Sequence, residues 1–178
     1  MGDVGELHEA LRSAGATVAT AESLTGGQLA ALFTNTPGSS ATYRGGFVTY
    51  ATELKHRLLG VPTAVIETVG VVSAECAEAM ARGAREAAGA TYGLSTTGVA
   101  GPDSQEGKPA GTVYVGVSGP DGTDSVRLSL SGSRGEIQHQ TCVFAVDELL
   151  RRVGTHGPGR SARRVALGPR RHQDVDDR

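Results

Sequence analysis

A chain of 178 residues is about the size of one domain and long enough to bury a sizeable core. With 38% hydrophobic but only 4% aromatic residues and 26 glycines, that core has to come from Ala, Val and Leu on closely approaching backbones. The net charge of −2 splits into +3 over residues 154–178 and −5 over the rest, so the compact part is mildly acidic and nucleic acid is an unfavoured partner. No apolar stretch reaches the roughly 18 residues of a membrane span, and the N-terminus lacks the layout of a signal peptide, so the expectation is a cytoplasmic protein with no membrane partner. One domain is expected over 1–153, followed by a disordered Arg-rich tail over 154–178.

Val4, Leu7, Leu11 and Ala14 share one stripe of a helix predicted over 4–14, with Gly15 as its C-cap. Residues 16–21 read as a buried strand, and 28–33, with Leu29, Leu32 and Phe33, as a helical face. Between them stand Glu22, Ser23, Leu24, Thr25, Gly26 and Gly27. A strand-to-helix turn exposes side chains at the carboxyl end of a sheet and aims unpaired helix N–H groups at whatever lies above it. Ser23 is therefore placed either as a nucleophile with backbone donors beside it or, with Thr25, as a simple helix cap.

Pro37-Gly38 marks a loop over 35–40, and a second strand is predicted over 46–50, ending on Tyr50. A helix over 52–59, stopped by Gly60 and Pro62, carries Lys55 one turn in, so polar side chains again arrive at a sheet's carboxyl edge. Residues 73–89 form a helix capped by Ser73, with Ala77, Met80, Ala81 and Ala84 on its core face. A third strand over 92–97 opens into a Gly/Pro-rich loop over 98–111, long enough to be functional or disordered. In it, Asp103 and Glu106 read as solvated. Strands over 112–118 and 124–131, joined by a turn at 119–122, form an antiparallel pair, and a last helix covers 135–153. This alternation predicts a mixed sheet covered by helices on both faces.

Cys76 and Cys142 fit no metal spacing and read as small core residues. His8, His56, His139, His156 and His172 are scattered over predicted helix surfaces and the tail, so Ser23 has no imidazole partner. Fifteen of the basic residues are Arg, and only Lys55 and Lys108 are Lys. Lysine retained against such a bias marks either chance or a need for a compact amine that can lose its proton. Desolvation can bring a lysine from about 10.4 toward roughly 7–8, worth on the order of 4 kcal/mol. Lys55 can then act as the base for Ser23, with Tyr50 as a relay or orienting hydroxyl, in the manner of Ser-Lys pairs.

Taken together, Thr20-Ala21-Glu22-Ser23-Leu24-Thr25-Gly26-Gly27, Gly38-Ser39-Ser40, Gly46-Phe47-Val48-Thr49-Tyr50 with Lys55, Val72-Ser73, Thr97-Gly98-Val99-Ala100-Gly101-Pro102 and Lys108-Pro109-Ala110-Gly111-Thr112-Val113-Tyr114 resemble the CinA C-terminal domain family over about residues 5–152. Members acting as nicotinamide-nucleotide amidohydrolases convert nicotinamide mononucleotide to the nicotinic acid form and ammonia. The resemblance implies an α/β fold, a three-layer α/β/α sandwich with a mixed, mainly parallel sheet, in a homo-oligomer of two or more copies. It implies Ser23 as nucleophile with Lys55 and Tyr50 assisting, and neither cofactor nor metal. Glu22, Thr25, Gly26 and Gly27 on one turn, Thr97, Gly98, Ala100 and Gly101 on another, and Lys108 are the implied substrate-binding residues.

The chain departs from the family pattern at Leu24, commonly Cys, at Thr52, commonly Asn, and at Gln138, where the last helix often carries the second Arg of Arg-x-x-Ile-Arg; Arg134 keeps the first. Larger members carry a separate N-terminal hydrolase domain for which this length leaves no room, so that activity is not expected. Two other readings stay open: a non-catalytic nucleotide-binding or competence-associated domain, and a Ser-Lys amidase for another small amide.

Overall fold

In the computed structural model, which describes residues 3–155, a five-stranded sheet of order β2-β1-β3-β4-β5 lies between two helical layers. The strands are β1 (Val18–Glu22), β2 (Tyr43–Val48), β3 (Tyr92–Gly98), β4 (Thr112–Gly119) and β5 (Gly122–Ser129). β1 pairs parallel with β2 and with β3, whereas β3–β4 and β4–β5 are antiparallel. The predicted three-layer α/β/α fold is the one observed, with the sheet divided evenly between parallel and antiparallel pairings.

Helices α1 (Val4–Ser13), α2 (Gln28–Thr34) and α6 (Arg134–Thr155) cover one face with Leu7, Leu11, Phe33, Ile137 and Leu149 against Val18, Leu94 and Val115. α3 (Thr52–Leu59), α4 (Thr63–Thr68) and α5 (Ala74–Ala88) cover the other, where Ala19 and Ala21 meet Leu59, Met80 and Ala84. Val18 facing one layer and Ala19 the other is the period of two that a doubly covered strand requires. The α5 contact is close because the sheet beneath it is nearly bare. A Cβ on Gly93 would run into the Ala81 carbonyl oxygen and one on Gly116 into that of Ala77, while Ser95 Oγ donates to the same Ala77 oxygen at 2.6 Å.

Gly83 lies inside α5, where helix propensity alone favours alanine by about 1 kcal/mol. A Cβ there would strike the Leu59 carbonyl oxygen at the end of α3, and a backbone atom cannot swing away as a side-chain tip can. Gly83→Ala is therefore expected to destabilise the domain by roughly 2 kcal/mol in denaturant unfolding, against the sign of its propensity.

Several predicted boundaries move for local reasons. β1 begins at Val18 rather than 16 because the Ala16 N–H closes the end of α1 on Leu11 O at 2.8 Å. β2 begins at Tyr43 and ends at Val48, since Gly45 and Gly46 pair with Ala19 and Thr20 instead of breaking the strand. Tyr50 is consequently outside the strand it was expected to end. α4 was not predicted: six residues after Pro62 are too short to show a helical period. The expected solvated His8 is fully buried, its Nε2 donating to Phe33 O at 3.1 Å, which leaves Nδ1 to accept from Thr42 Oγ1. Both cysteines are buried and free, as expected. α6 runs through Thr155, two residues into the tail expected over 154–178, and the rest of that tail, with His156 and His172, lies outside the described residues. No helix among the described residues is long and apolar enough to cross a membrane.

Candidate active site

Because β1, β2 and β3 run parallel, their carboxyl ends open on one edge, and the chain leaves each through a loop there. Pairing carries one residue beyond the strands: Ser23 N–H donates to Thr96 O and Thr49 N–H to Glu22 O, both at 2.9 Å. Ser23, Thr49 and the 98–101 turn are thereby brought to a single edge. Above it lies a cavity of about 360 Å³ lined by Ser23, Tyr50, Lys55, Gly98, Ala100 and Gly101 from the predicted site, together with Arg134.

Lys55 is 1% exposed, and its Nζ donates to Ser23 Oγ at 3.1 Å, to Thr49 O at 2.7 Å and to Tyr50 O at 3.4 Å. Two of those partners are carbonyl oxygens, which accept only. A neutral amine held by both directs its lone pair at the third partner, the Ser23 hydroxyl, which then donates. Burial pushes the Lys55 pKa down from 10.5, opposed by the charges of Cys76, Glu106 and Glu53. Cys76, whose thiol burial pushes up to about 11, is itself neutral near pH 7 and opposes little there. Leu24, Ala100 and Gly101 line the cavity, and their backbone N–H groups carry no hydrogen bond among the described residues.

Other predicted site residues stand behind the cavity instead of on its wall. The Glu22 carboxylate is fully buried and accepts from Thr25 Oγ1 (2.7 Å) and from the backbone N–H groups of Gly27 (2.9 Å), Leu29 (3.0 Å) and Ala30 (2.8 Å). It fills the amino end of α2, so the donors expected to receive a substrate anion are spent on an internal one. Thr25 also bonds Thr96 Oγ1 at 2.7 Å, and Gly26 N–H closes the turn on Ser23 O. Gly26 (φ 57°) and Gly27 (φ 104°) are left-handed, the conformation that lets the chain double back to reach Glu22. Thr97 Oγ1 donates to Val71 O at 2.6 Å, and Lys108 lies 3.6 Å from Glu106. None of these lines the cavity; each instead bonds to the turns and segments that surround it.

Tyr50 does line the cavity, 58% exposed, but its phenol oxygen accepts from Arg134 Nη2 at 2.8 Å and has no bond to Ser23 or Lys55. In this arrangement Lys55 reaches Ser23 directly and meets Tyr50 through its carbonyl. Arg134, which also donates to Gly101 O at 2.9 Å, stands in the sequence only as the retained first Arg of the last helix and is a lining residue outside the predicted site. Its position opening the last helix was visible, yet nothing local showed that the helix starts at this rim. Gln138, standing where the resemblance has Arg, donates to Leu24 O at 2.7 Å and accepts from Gln28 Nε2 at 3.0 Å, clamping α6 to the serine turn. Among the described residues, no three His, Cys, Asp or Glu side chains gather as metal ligands would.

The CinA C-terminal domain model matches residues 4–153. A CinA-like protein from Frankia casuarinae is 52% identical over 138 residues, 78% of this chain and 32% of that protein; one from Geobacter sulfurreducens is 48% identical over 145 residues, 81% of this chain and 35% of that protein. The chain thus spans about a third of the length of these curated relatives. A competence-damaged protein (CinA) superfamily structure from Klebsiella pneumoniae superposes with a TM-score of 0.83 at 31% identity, covering 85% of this chain and 95% of that one. The competence/damage inducible protein CihA from Agrobacterium tumefaciens does so with 0.78 at 35% identity, covering 85% and 96%. With matched residues that run from the start of α1 to the last turns of α6 and take in every residue at the sheet edge, the chain belongs to the CinA C-terminal domain family.

Proposed function

We propose that this domain is a serine amidohydrolase that deamidates nicotinamide mononucleotide to nicotinic acid mononucleotide and ammonia. The observation that carries the reading is the 3.1 Å hydrogen bond between Lys55 Nζ and Ser23 Oγ beneath an open cavity. Neutral Lys55 takes the proton of Ser23 as Oγ bonds to the carboxamide carbon, and the carbonyl electron pair becomes an oxyanion beside the free N–H groups. Collapse breaks the C–N bond, and the nitrogen leaves as ammonia with the proton Lys55 held. A water, losing its own proton to Lys55, then attacks the acyl-serine ester, freeing the carboxylate and returning a proton to Ser23. Arg134 is the cation that the rim offers to the substrate phosphate, preset by Gly101 O and Tyr50 Oη.

The test is ammonia release by the purified domain, with EDTA present, from nicotinamide mononucleotide and from the phosphate-free riboside. Arg134→Ala is expected to raise the KM for the nucleotide by about 10- to 100-fold, the worth of a charge-assisted contact, while scarcely changing that for the riboside. No release, with nucleotide still bound, would point instead to a binding domain.

A further inference from the structure

The loop over 98–111 is pinned to the domain at a place that its own turn chemistry does not favour. Gln105 and Lys108 exchange two backbone hydrogen bonds, at 3.0 and 2.9 Å, around Glu106 and Gly107, whose φ angles are 52° and 70°. Two central residues of positive φ make the type I′ pattern, which favours Asn-Gly. Glu106 is the one non-glycine residue of positive φ among the described residues. A local rule broken beside a cavity directs attention to what the side chain does.

The Glu106 side chain crosses to another segment. Its Oε1 accepts from Val71 N–H at 2.9 Å and its Oε2 from Val72 N–H at 3.0 Å. The carboxylate sits so close to the backbone that a Cβ on Gly70 would collide with it. Val71 lines the cavity, as do Ser104 and Gln105 from the loop, so this bidentate contact joins two parts of one wall. At the loop's other end Gly101 O accepts from Arg134, and Thr97 Oγ1 holds Val71 O from below.

We propose that Glu106 is a positioning residue whose carboxylate latches the 98–111 loop to Val71 and Val72 and so sets the wall of the cavity opposite Ser23. Its effect on turnover rests on the amidohydrolase reading; the latch itself does not. Cys76 from α5, Glu106 from the loop and Glu53 from α3 act on Lys55 through their charges, with the Lys108 ammonium 3.6 Å from the Glu106 carboxylate, and the Glu106 charge favours the protonated amine. Neutralising Glu106 while keeping its length therefore eases deprotonation of Lys55.

Two variants separate the latch from the turn. Glu106→Asn suits a left-handed turn position but is too short to reach Val71, whereas Glu106→Gln keeps the reach, loses the charge and holds one of the two N–H groups with its single acceptor oxygen. Amide exchange at Val71 and Val72 is expected to accelerate about 30-fold or more in Glu106→Asn, with KM about tenfold higher and kcat much less altered. In Glu106→Gln the acidic limb of the kcat/KM profile is expected at lower pH than in the wild type, a change that a turn-forming role would not cause. Wild-type exchange at both amides in a folded Glu106→Asn would overturn the latch, as would an unchanged KM in an active enzyme. Exchange is read without substrate, so absence of turnover in the wild type would sink the amidohydrolase reading and leave the latch to be judged on exchange alone.

Discussion

Ser23→Ala is expected to lower ammonia release from nicotinamide mononucleotide by about ten-thousand- to a million-fold, the range seen when a catalytic nucleophile is removed, while nucleotide affinity stays within about threefold. In the proposed reaction binding energy comes from the rim and loops, and a hydroxyl that reacts only with the carboxamide carbon adds little to it. Lys55→Arg is expected to fall as far. Its guanidinium keeps the charge and can reach Thr49 O, yet it does not release a proton below about pH 12, so it cannot take one from Ser23. Both are read by steady-state ammonia release beside calorimetric binding. Turnover retained in Lys55→Arg would remove Lys55 from the chemistry.

The same lysine sets two pH dependences. With the neutral amine as base of the proposed reaction, kcat/KM is expected to rise with pH through the Lys55 pKa, at a midpoint that burial places below 10.5. Between that lowered value and 10.5 the unfolded chain holds the proton and the folded chain does not. The desolvation cost is complete below the folded value, and folding stability from this residue climbs as pH rises across the window.

The largest structural effect is expected from Glu22→Ala. The substitution removes the acceptor of the Gly27, Leu29 and Ala30 N–H groups and of the Thr25 hydroxyl, at a place fully closed to water. Leaving buried donors unpaired costs about 1–3 kcal/mol each where no water enters, and relaxation of α2 recovers part of it, so a loss of about 3–5 kcal/mol is expected. For a domain of this size that is a fall in Tm of roughly 10 °C or more. Turnover should fall as well, because Ser23 rides on the turn that Glu22 ties down. Glu22→Gln keeps the shape and one acceptor and should lie between. A Tm for Glu22→Ala within about 2 °C of the wild type would show that the amino end of α2 finds other partners.

What the sequence by itself determined is mostly what neighbouring residues decide together. Helical stripes located α1, α5 and α6, the 119–122 turn located the β4–β5 hairpin, and polar residues after two strands located Ser23 and Lys55 at a carboxyl edge. An Arg-biased composition by itself sets Lys55 and Lys108 apart. Only the tertiary structure decided which polar groups meet. Glu22 reads in sequence as a polar residue of the serine turn and is found as a buried cap; Glu106 reads as a solvated loop residue and is found bound to Val71 and Val72 across 35 and 34 positions. Tyr50 and Arg134 meet across 84 positions, which takes the Tyr50 hydroxyl away from Lys55. Periodicity records which face of an element is buried, because that preference is summed over several residues. A hydrogen bond between distant segments involves one side chain on each, leaves no period, and is settled when the sheet brings their ends to the same edge.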